Sequence, residues 1–293
     1  MRRLSLLLVL LCLGTAPGMA GKLGVSSFSA ILTEIAQEVG GDRVEVTGHV
    51  KPGIDPHDFE PRPADLKAVS SADLILLSAK QLEGYVGKLR EAAGARAAIL
   101  EVGNKLPALP PVAGAAAGAG QGEDPHWWHS TGNIRKATEI IRDEFIRLRP
   151  EDREAFAAGA ARYLGRLAVL EKWVKSKVAE LPTDRRKLVT NHDSFGYFAR
   201  EFGFTVYPIA GISKNDQPGS KKVAAIIATI RAQGVKAIFS ETSENPKVIG
   251  QITRETGARI GGELFADGPG AGEAGGIEGM FRHNVTVIVE GLK

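Results

Sequence analysis

The sequence is poor in cysteine and has no long apolar run beyond its first twenty residues. A single cysteine occurs among 293 residues, so disulfides cannot hold the chain together. The net charge of +3 gives a nucleic-acid partner no electrostatic support. No segment after the N-terminus is long and apolar enough to span a bilayer. These absences exclude a disulfide-stapled scaffold, a nucleic-acid-binding protein and a membrane-embedded body.

The N-terminus has the pattern of a secretory signal peptide, which we predict to cover residues 1–20. Arg2 and Arg3 form a basic start, an apolar stretch follows at 4–13, and small residues then suit a cleavage site. The alternative is a buried N-terminal helix. Cys12 lies inside this segment, too early to become the lipid-carrying cysteine of a lipoprotein. The pattern therefore predicts an exported, periplasmic protein and disfavours a lipid anchor.

Strand-like and helix-like patterns alternate in two separate stretches of the chain. Within residues 21–149, the apolar run at 74–77 is typical of a parallel strand that is buried on both faces. A second alternating series occupies 182–293, where helical patterns end at Gly234 and Gly257. This alternation predicts an α/β fold with two parallel-sheet βα lobes, an N-terminal lobe at 21–149 and a C-terminal lobe at 182–293.

One long helical pattern separates the two lobes, at residues 150–181. Apolar side chains recur there every three or four residues, and the pattern is bounded by Pro150 and Pro182. At about 1.5 Å per residue, such a helix would be roughly 45 Å long, which exceeds one lobe. We therefore predict an interlobe helix that joins both lobes, with a metal cleft between them.

Three of the six histidines lie in distinctive loop settings beside predicted strands. Asp-Pro-His occurs twice, ending at His57 and His126, and Thr-Asn-His ends at His192. Ligands of open α/β sheets bind beyond the carboxyl ends of the strands, and neutral imidazole suits Zn²⁺ and its neighbours. From the residues alone, a metal site and three ordinary surface or capping histidines are both open. For His49 and His283 the ordinary role is favoured.

A series of motifs resembles the zinc/manganese substrate-binding proteins of metal ABC importers. The motifs occur in the family's order and cover nearly the whole chain after residue 20: DPHDFEP at 55–61, ADL and LEGY at 72–85, DPHWW at 124–128, NHDSFGYF at 191–198, GIS at 211–213, GVKAIFSE at 234–241 and LFAD at 264–267. The resemblance implies a monomeric binding protein, not an enzyme. It would capture a divalent metal ion outside the cytoplasmic membrane and deliver it to the membrane permease of an importer.

The resemblance also implies four metal ligands, two from each lobe: His57, His126, His192 and Asp267. Three imidazoles and one carboxylate suit four-coordinate Zn²⁺. Mn²⁺ prefers more oxygen ligands, so Zn²⁺ is the predicted metal, with Mn²⁺ or iron as the alternative.

Several residues near these ligands carry weaker predictions. His129 could reach the same ion if its segment is helical, although the family motif places the ligand at His126. Asp58, Asp193 and Glu241 are candidates to accept a hydrogen bond from a ligand imidazole, and ordinary carboxylates are the alternative. The two tryptophans after His126 are expected to pack over the pocket.

One stretch departs from the zinc-specific relatives, many of which carry a loop rich in histidine and acidic residues. Here residues 113–122 contain no histidine and are rich in alanine and glycine, which predicts a flexible loop without a metal-gathering role. The absence slightly weakens the prediction of zinc relative to manganese.

Two functions of other classes stay open. A metal-dependent hydrolase would need an open coordination position and a base, for which Glu241 is the candidate. The other alternative is a surface adhesin.

Overall fold

The computed structural model describes residues 21–110, 122–212, 218–241 and 246–293, and it contains two four-stranded parallel sheets. The first has the order β2-β1-β3-β4, formed by β1 (Leu23–Ser27), β2 (Val44–Gly48), β3 (Leu74–Leu77) and β4 (Ala98–Glu101). The second has the order β6-β5-β7-β8, formed by β5 (Lys187–Thr190), β6 (Thr205–Pro208), β7 (Ala237–Glu241) and β8 (Arg259–Leu264). The predicted α/β fold with two parallel-sheet lobes is therefore confirmed. The predicted signal peptide and nearly all of the alanine-rich loop lie outside the described residues.

Helices cover both sheets and connect them. They are α1 (Ala30–Gly40), α2 (Pro63–Ser71), α3 (Val86–Ala93), α4 (Thr131–Leu148), α5 (Arg153–Val178), α6 (Gly196–Phe202), α7 (Ser220–Gln233), α8 (Pro246–Thr256) and α9 (Gly276–Leu292). Helix α7 ends at Gly234, whose left-handed conformation caps it as the sequence predicts. None of the helices in the described part of the chain combines the length and the apolar character that a bilayer crossing requires.

The predicted interlobe helix is α5, which packs against α1, α4 and α9. Its α-helical part begins at Arg153, because residues Pro150–Asp152 form a tighter 3₁₀ turn. Phe156, Tyr163, Leu170 and Val178 are among the side chains that form its buried stripe. The stripe belongs to one continuous hydrophobic cluster that contains residues of both sheets. The two lobes therefore share this core, and each lobe also has a smaller hydrophobic cluster of its own.

Polar contacts reinforce this junction. The carboxylate of Glu34, on α1, accepts hydrogen bonds from the hydroxyl of Tyr163 at 3.0 Å and from the backbone N–H of Ile277 at 2.7 Å. Arg166, one turn further along α5, pairs with one glutamate on α1 and one on α9. Since α1 belongs to the first lobe and α9 to the second, these contacts link the lobes through α5.

Candidate metal centre

The two Asp-Pro-His motifs fold into the same local turn. In the first, the Asp55 carboxylate accepts the backbone N–H of His57 at 2.8 Å. In the second, the Asp124 carboxylate accepts the backbone N–H of His126 at 2.9 Å. An aspartate that bonds to the backbone two residues later mimics a turn, and the intervening proline restricts the backbone further. Each motif therefore holds its histidine at a fixed point in a loop.

The other two predicted ligands follow strands of the second sheet. His192 comes two residues after β5 ends, and its carbonyl accepts the hydroxyl of Thr190 at 2.9 Å. Asp267 lies three residues after the end of β8. Parallel strands place their carboxyl ends along one edge of a sheet, so both residues reach the cleft from the ligand-binding edge.

The structure brings these four side chains together from both lobes. The Nε2 atom of His126 lies 3.1 Å from Nε2 of His57 and 3.3 Å from Nε2 of His192. Oδ1 of Asp267 lies 3.6 to 3.8 Å from the same three nitrogens, and the four ligand atoms are all within 4.8 Å of one another. Four atoms placed tetrahedrally at zinc bond lengths would be separated by about 3.3–3.6 Å. The group is thus close to the size that one such ion requires.

Two carboxylates fix the orientation and the tautomer of the His126 and His192 imidazoles. Nδ1 of His126 contacts Oδ1 of Asp124 at 2.8 Å, and Nδ1 of His192 contacts the Glu241 carboxylate. A carboxylate accepts, so the proton of each neutral imidazole lies on Nδ1 and its Nε2 carries a lone pair. When both imidazoles are neutral, these lone pairs face each other across about 3.3 Å, an arrangement that a central cation stabilises.

Burial and charge set the protonation of the centre. Burial lowers the pKa of His57 and lowers the pKa of His126 further, since each would carry its charge away from water. Burial also acts to lower the pKa of His192, but the carboxylates of Glu241 and Asp267 outweigh it and raise that pKa well above 6.5. His192 is therefore the imidazole at which a proton competes most strongly with a metal ion.

His129 does not join the four-residue group. Its Nε2 lies 2.7 Å from the carbonyl oxygen of Ala266, and its ring stacks on Phe195 with centroids 4.3 Å apart. Burial lowers its pKa to about 4, so the ring is neutral at pH 7 and donates from Nε2. Trp128, which was expected only to pack over the pocket, also donates a hydrogen bond to the same carbonyl, at 2.8 Å.

Of the three carboxylates predicted to accept an imidazole N–H, Glu241 makes that contact, with His192. For Asp58 and Asp193 the role stays a prediction. Asp124 was missed as an imidazole partner, although the sequence carries a signal for it. Its motif repeats the aspartate two residues before the histidine, and that spacing favours a turn in which both side chains meet.

Comparison with known proteins gives a consistent family. The family model described as zinc-uptake complex component A, periplasmic (ZnuA), matches residues 25–291. The manganese-binding lipoprotein MntA of Bacillus subtilis is 33% identical over 93% of this chain and 90% of that protein. The iron-binding protein YfeA of Yersinia pestis is 30% identical over 93% and 87%, respectively.

The fold agrees with a solved structure of the same kind. The periplasmic zinc-binding protein TroA of Treponema pallidum superposes with a TM-score of 0.83 and 28% identity, covering 93% of this chain and 99% of that one. The relatives are named for manganese, iron and zinc, so membership does not decide the metal. The match over nearly the whole chain places this protein in the ZnuA family of periplasmic metal-binding components of ABC importers.

Proposed function

We propose that this protein binds one Zn²⁺ ion outside the cytoplasmic membrane and delivers it to the membrane permease of an ABC importer. The proposed ligands are His57, His126, His192 and Asp267. The observation that carries this proposal is the convergence of four ligand atoms from both lobes within 4.8 Å of one another. An ion held there would bond both lobes at once, so its release would need the lobes or a ligand loop to move.

The choice of zinc rests on the ligand set. Three neutral imidazoles and one carboxylate match the four-coordinate, mostly nitrogen environment of Zn²⁺, whereas Mn²⁺ favours oxygen ligands and octahedral geometry. Manganese is the second candidate, because a relative that is 33% identical is named for manganese. The test is a competition titration of the purified protein with Zn²⁺ and Mn²⁺, beside elemental analysis of the protein from its native compartment.

A binding role is favoured over hydrolysis by the same geometry. Four protein ligands would fill a tetrahedral shell and leave no open position for a catalytic water. Glu241, the candidate base, is hydrogen-bonded to Nδ1 of His192, on the far side of the ring from the Nε2 atom that faces the centre. X-ray absorption should therefore report four nitrogen or oxygen ligands from the protein. A shell containing exchangeable water would favour the hydrolase.

Removal of one ligand tests the site itself. We expect His126→Ala to weaken zinc binding by at least about a hundredfold, the upper end of the loss caused by residues that merely orient ligands. His283→Ala is the matched control, since His283 is half-buried and bonds to the carbonyl of Glu263 outside the centre. Equal affinities of the two variants, or no zinc binding by the wild type at micromolar concentrations, would overturn the proposal.

The identity of His192 as a ligand can be tested through metal preference. We expect His192→Glu to shift the ratio of zinc to manganese affinity toward manganese, because it replaces a nitrogen ligand with oxygen. An unchanged ratio would argue against coordination by His192.

Transport and adhesion are separated by deletion of the gene. Loss of high-affinity metal uptake supports delivery to an importer, whereas lost adhesion with normal uptake supports the adhesin. We propose that the protein acts as a monomer, which sedimentation of the metal-loaded protein would check.

A further inference from the structure

The segment that carries Asp267 leaves the sheet before it reaches the metal centre. Pairing between β7 and β8 ends at Leu264, and Asp267 lies three residues beyond. The sheet ladder therefore does not fix the position of this carboxylate. Side chains from elsewhere in the fold contact the two residues between the strand and Asp267.

The first contact comes from Asn284, on α9. Its Oδ1 accepts the backbone N–H of Phe265 at 2.9 Å, and its Nδ2 donates to the carbonyl of Phe265 at 2.8 Å. The side-chain amide thus pairs with both backbone groups of one residue, as a neighbouring strand would. Asn284 is buried, so these bonds are shielded from water.

The next residue, Ala266, is held from the other lobe. Its carbonyl oxygen accepts the indole N–H of Trp128 at 2.8 Å and the Nε2–H of His129 at 2.7 Å. Both donors belong to the 3₁₀ turn Trp127–His129, which directly follows the ligand His126. Both side chains and Ala266 are at most 2% exposed, so a buried carbonyl receives two bonds at full strength.

We propose that Trp128, His129 and Asn284 form a clamp that positions Asp267 for the metal ion, an inference that rests on the function proposed above. The three residues act through the backbone of Phe265 and Ala266, so they are positioning residues and not ligands. Two of the bonds connect the turn bearing His126 directly to the segment bearing Asp267. The spacing between an imidazole of one lobe and the carboxylate of the other is therefore set by protein contacts as well as by the ion.

Preorganisation is the physical benefit of this arrangement. A ligand already held in place loses little conformational freedom when the ion binds, so more of the bond energy appears as affinity. For packing alone, apolar side chains would serve better than two polar donors on one carbonyl. The reason is that a buried indole or imidazole N–H is costly unless it is hydrogen-bonded. The clamp predicts that affinity depends on these N–H groups and not only on the ring volumes.

The test compares variants that differ in donor capacity at one position. His129→Gln keeps an N–H group that can reach the carbonyl of Ala266, whereas His129→Leu removes it, and Trp128→Phe keeps an aromatic ring without a donor. His283→Leu is the packing control, because the ring of His283 contacts that of Phe265 while its Nε2 bonds to the carbonyl of Glu263, so the change removes no hydrogen bond of the clamp. For each protein we would measure Zn²⁺ affinity by chelator competition, the visible spectrum of bound Co²⁺, and urea unfolding in the presence of EDTA.

We expect His129→Leu and Trp128→Phe each to weaken Zn²⁺ binding about tenfold or more and to change the Co²⁺ spectrum. His129→Gln and His283→Leu should stay within about threefold of the wild type. Wild-type affinity in both donor-free variants would overturn the clamp. So would an equal loss in His129→Gln and His129→Leu at equal stability, since packing alone would explain it.

Two other results, a variant that does not fold and a wild type that binds no Zn²⁺, also have a defined meaning. If His129→Leu does not fold, Trp128→Phe decides by the same affinity criterion against the wild type. If the wild type itself binds no Zn²⁺, the proposed function fails, and that result is distinct from a wild type that binds tightly with insensitive variants.

Discussion

Substitution of Asp124 by asparagine should weaken metal binding without weakening the fold. Oδ1 of Asp124 accepts both the backbone N–H of His126, at 2.9 Å, and its Nδ1–H, at 2.8 Å. The amide oxygen of asparagine can take the same two bonds in the same place. Asp124→Asn therefore replaces an ionisable carboxyl group with a neutral amide while it preserves the turn and the orientation of the imidazole.

The two expected effects have opposite signs. A carboxylate that bonds to a ligand imidazole makes it a better donor to the metal, and its loss costs about ten- to hundredfold in affinity. Because the geometry is kept, we expect the lower end, about tenfold or 1.4 kcal/mol. In contrast, burial raises the pKa of Asp124 well above 3.8, so the folded state favours the protonated carboxyl group. The contribution of Asp124 to the free energy of unfolding is therefore present at low pH and is lost as pH rises through the folded-state pKa. The amide cannot ionise, so the metal-free variant should be at least as stable as the wild type at pH 7.

The assay is a chelator competition for Zn²⁺ at pH 7.5, paired with urea unfolding in EDTA. Asp267→Ala, which removes a proposed ligand, gives the scale of a full ligand loss. Unchanged zinc affinity in Asp124→Asn would refute the charge argument. A loss of affinity accompanied by an equal loss of metal-free stability would refute it as well, since the effect would then be structural.

Three further predictions concern packing and protonation. A methyl group on Gly159 would lie 2.3 Å from the carbonyl oxygen of Val39, so Gly159→Ala should lower the free energy of unfolding in urea by about 1–3 kcal/mol. Gly165 has open space beside it, so Gly165→Ala should be neutral or stabilising. Equal effects of the two variants would contradict the close contact of α1 with α5. Burial raises the pKa of Glu83 to about 7, so the free energy of unfolding should fall by at most about 3 kcal/mol as pH rises from 5 to 8. Glu83→Gln should reduce this dependence of stability on pH. An equal pH dependence in the variant and the wild type would refute the prediction. The raised pKa of His192 predicts that zinc binding releases a proton near neutral pH and weakens in acid. Calorimetry in two buffers that differ in ionisation enthalpy would measure the proton release. A zinc affinity that does not change between pH 8 and pH 5.5 would contradict the prediction.

The strands were the most predictable part of the fold. Strand β3 has the predicted bounds, because four consecutive buried apolar residues between turn signals fit little else. The sequence predicts a helix from Leu82 to Ala92, whereas α3 begins at Val86. Residues Ala79, Lys80 and Gln81 all have positive φ angles, and this conformation is one that non-glycine residues do not announce in a sequence.

Two long helices were not predicted at all. Helix α9 is rich in glycine and β-branched residues, including Val285, Val287 and Val289, which favour strands by local propensity. Its buried face packs against β8 and α5, so tertiary contacts override that propensity. Helix α4 could have been predicted, because Ile134, Ala137, Ile141 and Phe145 recur every three or four residues and form its buried face.

The four side chains that converge at the centre were predictable because short motifs mark them, whereas the groups that hold them were not. Trp128 and Ala266 are 138 residues apart in sequence, and His129 and Ala266 are 137 apart. Contacts at such separations leave no spacing that a single sequence can reveal. The same holds for the pairing of His192 with Glu241, where only the position of the carboxylate at the end of a strand hinted at a role.

The shared core limits how this protein could be divided. A fragment ending after α5 would lose Ile277 and Val285 of α9 and so expose the surface of α1 and α5 on which α9 packs, and the second lobe alone would lack the helix that covers it. Neither piece would keep a complete interior, so thermal melting should proceed in one cooperative step. Split reporters or domain swaps built on this scaffold would have to cut in exposed loops and keep the central helix attached to both halves.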